Sequence, residues 1–205
     1  IERLHELGET SPFARVSLLA IVARAPLELG VFGGLKRVFK KVEASLDVQL
    51  YGALAARFDE AANDWGDGAS RGTLIYLRRR AWRRLRELGR SAPELYPTLA
   101  VEILRSYGED TNFRALWIAN HVFAHGSKQY SSTAFSIHDG ATQLKHRAFP
   151  DAWKRSPDPL MLLLETCRAD DAARFAIASL KKDFPEVLRR VTPAWLGRLA
   201  GRKLE

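Results

Sequence analysis

Arginine is concentrated in one short stretch of this 205-residue chain. Residues 71–90 carry eight arginines and one acidic residue, so this stretch has a net charge of +7, and the remainder of the chain carries +1 of the total of +8. A guanidinium group donates two parallel hydrogen bonds to a phosphate, and a row of such groups replaces the counterions condensed on a nucleic acid. The pattern therefore indicates binding of phosphate groups.

The arginines interleave with apolar residues at helical spacing, in the segment YLRRRAWRRLR that spans 76–86. This spacing predicts a helix over 73–89 with Gly89 as its C-cap. We expect Arg79, Arg80, Arg83 and Arg86 to contact phosphates, Arg78, Arg84 and Arg90 to add positive field, and Tyr76 and Trp82 to stack on unpaired bases. The alternative is that these arginines pair with acidic residues of neighbouring helices and that the protein is an interaction scaffold.

Two histidines, His121 and His125, lie four residues apart and on a helix would face one metal ion together. Zinc needs further ligands, for which His138, His146 and Asp139 are the nearby candidates, and no cysteine pair supports such a site. We therefore predict no metal and no cofactor, and expect His125 to anchor the end of its helix.

No nucleophile lies at a fixed spacing from a base, so no catalytic residue is assigned and we expect a protein that is not an enzyme. An enzyme that acts on nucleic acid would need a carboxylate beside the arginines, and Asp110 and Asp139 are the candidates. Asn120 interrupts an apolar helical segment, and because a buried amide must be hydrogen-bonded, we expect it to hold the following loop.

The elements that position these residues are predicted to be helices, since alternating β-branched patterns are nearly absent. The segment Phe149–Trp153 is followed 35 residues later by a similar segment, Phe184–Leu188. An offset of 35 residues is the length of one helix-turn-helix unit. We therefore expect an all-α solenoid of antiparallel helix pairs with one long polar loop. The predicted helices begin at Pro12, span 35–58, 73–89, 111–125, 158–168, 171–183, 185–190 and 193–200, and include one that begins at Pro93; glycines 30, 33 and 34 are predicted to break the chain.

The chain is predicted to form one domain, with N-terminal helices in 1–72, the arginine-rich helix and its successors in 73–125, the polar loop in 126–147 and two repeat units in 148–205. No apolar run reaches the roughly 20 residues that a membrane span needs. A single cysteine, Cys167, excludes an internal disulfide, so we expect a cytoplasmic protein. The chain begins with Ile1, and we expect it to be part of a longer protein.

Three segments resemble the helical-repeat region of large bacterial proteins that often also carry a Trp-Gly-Arg (WGR) domain. They are YLRRRAWRRLR at 76–86, NHVFAHGS at 120–127 and FAIASLKKDFPEVLRRVTPAWL at 175–196, and the last is similar to HEAT-like repeats. The resemblance implies an α-solenoid within a multi-domain parent. The WGR domain itself is not part of the resemblance, because the one Trp-Gly pair, Trp65-Gly66, is followed by Asp67.

Overall fold

A computed structural model describes residues 1–63, 68–128, 130 and 140–200. These residues form helices and connecting turns, and no β-strand occurs among them, so the predicted all-α class is confirmed. The α-helices are α1 (Glu2–Gly8), α2 (Pro12–Arg24), α3 (Leu29–Ser45), α4 (Val48–Ala61), α5 (Arg71–Ser91), α6 (Tyr96–Leu104), α7 (Trp117–Ala124), α8 (Pro150–Trp153), α9 (Asp158–Thr166), α10 (Asp170–Asp183), α11 (Pro185–Arg189) and α12 (Pro193–Ala200). Three short 3-10 turns lie at Phe113–Ala115, Gly140–Thr142 and Leu144–His146.

The single helix predicted over 35–58 is two helices, α3 and α4. Leu46 ends α3 in a left-handed conformation with a φ of 56°, and the next residue, Asp47, caps α4 by accepting a hydrogen bond from the backbone N–H of Leu50 at 3.1 Å. Arg15 of α2 forms an ion pair with the same Asp47 carboxylate. A side-chain cap and a tertiary ion pair thus divide a continuous apolar pattern into two helices.

The glycines that were predicted to interrupt the chain lie inside helices instead. Gly30, Gly33 and Gly34 belong to α3, and a Cβ on Gly34 would lie 2.7 Å from the Cβ of Ile1. Gly89 was predicted to end the arginine-rich helix, but α5 continues to Ser91. Gly34 and Gly89 pack closely against another segment, a role that is invisible in local sequence, whereas a Cβ on Gly30 would have no neighbour within 4 Å.

Helix α4 lies at the centre of the N-terminal half and packs against α2, α3, α5 and α6. Its contact with α6 is unusually close, since a Cβ on Gly52 would lie 2.6 Å from the Cβ and 2.8 Å from the carbonyl carbon of Glu102. Helix α6 then packs on α9, which in turn contacts α10 and α12. The core therefore continues from one half of the chain to the other through α6.

In the C-terminal half, α9, α10, α11 and α12 lie where the repeat pattern predicts helices. The buried Arg147 anchors the start of this half, because its Nη2 lies 2.6 Å from Asp183 Oδ2 at the end of α10. The two described ends of the polar segment 126–147 meet, since the backbone N–H of Gly126 donates to the carbonyl of His146 at 2.8 Å. Within the described ranges, no helix has the length and apolar character that crossing a membrane requires.

Candidate functional site

Helix α5 buries one side of its surface and exposes the other. The buried side consists of leucines and an alanine at helical spacing, namely Leu74, Leu77, Ala81, Leu85 and Leu88. This stripe packs mainly on α4, α6 and α7. The seven arginines that the sequence predicts as a binding set extend around the remaining surface, and their environments divide them into two groups.

Arg78 was predicted to add positive field beside the arginines that contact phosphates, but it is buried and paired with a carboxylate within the fold. It is only 4% exposed, and its Nε lies 2.9 Å from Oδ1 of Asp59, which is fully buried on α4. The Arg78 guanidinium also donates to the carbonyl of Asp59 and to Oδ1 of Asn63, both at 2.6 Å. Arg78 lies beside the apolar stripe on the helix surface, so it is turned inward with that stripe.

The Asp59 carboxylate also joins two further segments, the turn after α6 and the start of α7. It accepts hydrogen bonds from the Tyr107 hydroxyl at 2.9 Å and from the backbone N–H groups of Trp117 and Ile118 at 3.0 and 2.9 Å. Burial raises the pKa of this carboxyl group, and Arg78 and these three donors oppose that rise. Sequence reasoning missed Asp59, although its place within the apolar helix 48–61 is the signal of a buried charge that needs a partner.

Two more of the predicted arginines pair with carboxylates. Arg80 donates from Nε to Oε2 of Glu43 on α3 at 2.8 Å, and Nη1 of Arg84 lies 3.6 Å from Oε2 of Glu87, one turn further along α5. Arg80 also donates to the hydroxyl of Tyr76, whose side chain remains exposed. Arg80 was predicted to contact phosphates, but its guanidinium is already engaged within the fold.

The remaining four arginines lie on one face of α5, and we refer to Arg79, Arg83, Arg86 and Arg90 as the arginine row. Their spacing of four, three and four residues aligns them along about 16 Å of helix. No carboxylate of the described residues lies within ion-pair distance of any of the four, and all except the half-buried Arg86 are exposed. Like charges at this spacing repel each other, so the row destabilises the isolated helix.

Tryptophan side chains support the arginine row from one side. The guanidinium of Arg79 lies 5.4 Å from the ring centroid of Trp117, and that of Arg86 lies 4.4 Å from the ring centroid of Trp82. Trp82 is only 8% exposed, so the prediction that it stacks on unpaired bases is wrong. Its ring instead forms a platform under a guanidinium, an arrangement that fixes the orientation of the cation.

At its C-terminal end the arginine row borders a group of histidines and aromatic residues, which we call the histidine cluster: Tyr96, His121, His125, Tyr130 and Phe149. The rings of His121 and His125 are 4.8 Å apart, and Phe149 lies 4.8 Å from Tyr96 and 6.3 Å from His125. The Cε2 atom of Phe149 would lie 2.2 Å from a Cβ on Gly89, so the missing side chain of that glycine allows the cluster to pack on α5.

The imidazoles of the histidine cluster are held in the neutral state. Burial lowers the pKa of His121 well below its usual value, and His125, Arg86 and Arg90 lower it further. Burial, Arg86 and Arg90 also lower the pKa of the half-buried His125. The two arginines at the end of the row are therefore electrostatically coupled to both histidines.

The described residues contain no group of three histidine, cysteine or carboxylate side chains that could hold a metal ion. Of the further ligand candidates, His146 lies next to Gly126, in the segment that leads to α8. His138 and Asp139 lie outside the described residues. Asn120 was predicted to hold the loop that follows it, but its contacts with described residues lie on the other side: its amide donates to the carbonyls of Phe113, Arg114 and Leu116, and so fixes the turn that precedes α7.

Asp110, one of the two carboxylates considered for catalysis, lies away from the arginine row. It lines a cavity of about 730 Å³ between α4 and the segment that follows α6, together with Arg57, Glu60 and Thr111. Glu60 accepts hydrogen bonds there from Thr111 and from the backbone N–H of Gly108. No member of the arginine row lines this cavity, so it does not place a carboxylate beside the row.

Fold and site together define an all-α protein with a cationic helix face next to a neutral histidine cluster. Comparison with protein-family models, with characterised proteins and with solved structures finds no match for the chain. Its function is therefore argued from the arrangement of its own residues.

Proposed function

We propose that the protein is a non-enzymatic helical-repeat module that binds a nucleic acid or a similar polyanion through the arginine row. The observation that carries the proposal is the division within α5: Arg78, Arg80 and Arg84 have carboxylate partners, whereas the row has none among the described residues. Aligned like charges destabilise a helix unless a ligand neutralises them. A phosphate backbone carries the opposite charge and is linear like the row, so it is a suitable ligand.

We also propose that the helices form a HEAT-like α-solenoid, that this solenoid belongs to a larger bacterial protein, and that the protein is cytoplasmic. The contacts of α9 with α10 and of α4 with α6 support helix pairs as the building unit. A single, buried cysteine, Cys167, is compatible with a reducing compartment. Contacts to phosphates carry little sequence information, so we expect binding with weak sequence preference.

The test measures fluorescence anisotropy of labelled duplex DNA and single-stranded DNA and RNA at 50 and 200 mM salt. If the four arginines neutralise four phosphates of a duplex, affinity falls about 150-fold between these salt concentrations. Replacing Arg79, Arg83 and Arg90 with alanine reduces this fall to about fourfold and weakens binding at low salt.

The matched control replaces three exposed arginines outside α5, namely Arg24, Arg189 and Arg190, with alanine. Both triple variants have the same net charge, so the control separates a local site from a general attraction. The proposal fails if no polyanion binds at 50 mM salt, or if the two variants weaken binding equally.

A second candidate function, a protein-interaction scaffold, rests on a separate surface. Helix α2 is apolar on both sides: Leu18 and Val22 are buried, but Phe13 and Val16 are 82% and 65% exposed. Exposed apolar side chains on one helix face are typical of a protein contact. Concentration-dependent association that Phe13→Ser abolishes supports this function; a monomer at all concentrations with unchanged oligonucleotide binding favours the polyanion module.

A further inference from the structure

The two histidines of the histidine cluster and the end of the arginine row come from two packed helices, each of which contributes a pair of residues four positions apart. Helix α5 contributes Arg86 and Arg90, and α7 contributes His121 and His125. Because residues at this spacing lie on the same helix face, the two pairs meet across the contact between α5 and α7. The arrangement brings two guanidinium groups and two imidazoles to one place.

The inner layer of the cluster contains polar atoms without partners. Among the described residues, no group hydrogen-bonds to Nε2 of His121 or to the hydroxyl of Tyr96, although both side chains are fully buried. Nδ1 of His125 is also buried and has no hydrogen-bond partner in the described part of the chain. Buried polar groups in native proteins are almost always hydrogen-bonded, so three such atoms in one cluster indicate a ligand or bound water.

A hydrogen-bond chain determines which kind of ligand fits. Nε1 of Trp82 donates to the hydroxyl oxygen of Tyr130 at 2.8 Å, and that oxygen lies 3.4 Å from Nδ1 of His121. The Tyr130 oxygen accepts a hydrogen from Trp82, so when Tyr130 donates its own hydrogen to Nδ1, the His121 proton lies on Nε2. His121 Nε2, the Tyr96 hydroxyl, Arg86 and Arg90 are then all hydrogen-bond donors.

We propose that Arg86, Arg90 and His125 form a subsite for a phosphomonoester group, with His121 and Tyr96 as its inner layer. A site that consists of hydrogen-bond donors and carries two positive charges is a better match for a phosphomonoester, a dianion with three acceptor oxygens, than for a carboxylate ligand. Since the subsite lies at the end of the row, the proposal rests on the proposed function: the group is the terminal phosphate of the bound polyanion, whose internal phosphates contact Arg79 and Arg83.

His125 gives the subsite a measurable signature. It is neutral in the free protein because burial, Arg86 and Arg90 lower its pKa, and the groups that face it are these two arginines, His121, Tyr130 and Phe149. A bound dianion offsets the field of the arginines and raises the pKa of His125, so binding takes up a proton.

The first experiment titrates the histidine resonances of the whole chain by NMR, with and without inorganic phosphate. We expect phosphate to raise the midpoint pH of His125, whose resonance is assigned by the His125→Gln variant. Equal midpoints for His125 with and without phosphate overturn the proposal. Arg90→Gln, a change of an exposed residue that leaves the fold intact, should abolish the shift.

The second experiment compares oligonucleotides of one sequence that carry a 5′-phosphate, a 3′-phosphate or hydroxyl groups at both ends. We expect one phosphorylated form to bind about tenfold more tightly, as a single hydrogen bond to a charged group provides. His125→Gln should remove this preference, and the matched control His146→Gln should retain it.

The two proposals fail in different ways. Equal affinities for all three oligonucleotides, with binding still weakened by Arg79→Ala, overturn the subsite and leave the proposed function intact. If no oligonucleotide binds but inorganic phosphate shifts His125, the polyanion proposal fails and the subsite serves a free phosphomonoester.

Discussion

Breaking the buried ion pair between Arg78 and Asp59 should destabilise the protein far more than removing any arginine of the row. Arg78→Ala leaves a fully buried carboxylate without its cation and removes the hydrogen bonds to the Asp59 carbonyl and to Asn63. Removing one partner of a buried pair costs about 3–5 kcal/mol. For a chain of this length, we expect the melting temperature to fall by about 6–20 °C.

The matched control is Arg83→Ala, a change five residues along the same helix that has the same chemistry and removes the same charge. Arg83 is exposed, so we expect its loss to change the free energy of unfolding by no more than about 0.5 kcal/mol. Both variants are measured by urea unfolding followed by circular dichroism. If the two variants lose the same free energy of unfolding, Arg78 is not part of a buried network and the division of the arginines into two groups is wrong.

A partial rescue sharpens this test. Asp59→Asn combined with Arg78→Met removes both charges and replaces them with groups of similar size. Replacing a buried ion pair with uncharged groups is often tolerated, so the double variant should be more stable than Arg78→Ala alone. A double variant that is less stable than Arg78→Ala would indicate that the hydrogen bonds of Asp59 to Tyr107 and to α7, rather than the uncompensated charge, account for the loss.

Three further outcomes follow from the contacts of single residues. The free energy of unfolding should fall as the pH is lowered from 7 to 5.5. Folding lowers the pKa of His121, so in this range the unfolded chain binds a proton that the folded chain does not. His121 alone can change the free energy of unfolding by at most about 1.4 kcal/mol per pH unit. Gly52→Ala should lower the free energy of unfolding by about 1–3 kcal/mol, because the new methyl group would lie 2.6 Å from the Cβ of Glu102. Asp47→Ala should cost about 1 kcal/mol for the lost cap of α4, and more through the lost ion pair with Arg15.

Each of these outcomes has its own control. The pH dependence should become weaker in His121→Gln, and a wild-type stability that is constant from pH 7 to 5.5 contradicts the neutral, buried imidazole. Gly33→Ala, also inside a helix but with only an ordinary contact at 3.7 Å, should be neutral or stabilising by up to about 1 kcal/mol. An Asp47→Asn variant retains the cap but loses the charge, so it should be more stable than Asp47→Ala.

The helices could largely be predicted from sequence because their signals are local. Ser11-Pro12 begins α2 as a side-chain cap and a fixed first turn, with Ser11 Oγ accepting a hydrogen bond from the N–H of Ala14 at 3.3 Å. The boundary at Leu46 was missed, because a left-handed conformation is unusual for leucine and no glycine or asparagine marks the end of α3 in the sequence.

The composition of the site was visible in the sequence, but the role of each arginine was not. Arg78 and Arg79 are neighbours of identical type and both lie 5.4 Å from the Trp117 ring, but their positions relative to the apolar stripe bury one against Asp59 and leave the other exposed. Separating them requires the partner on α4, 19 residues away. The histidine cluster was missed as a unit because Tyr96, Tyr130 and Phe149 are far apart in the chain and meet only after folding.

Helix α7 begins without a capping side chain of its own, and the N–H groups of its first two residues, Trp117 and Ile118, donate to Asp59 on α4. An isolated segment with this sequence therefore lacks the acceptor that its first turn needs. The stability of the first turn of α7 therefore depends on α4, which presents that carboxylate. The positions of the two histidines that α7 carries are thus tied to the packing of the N-terminal half of the chain.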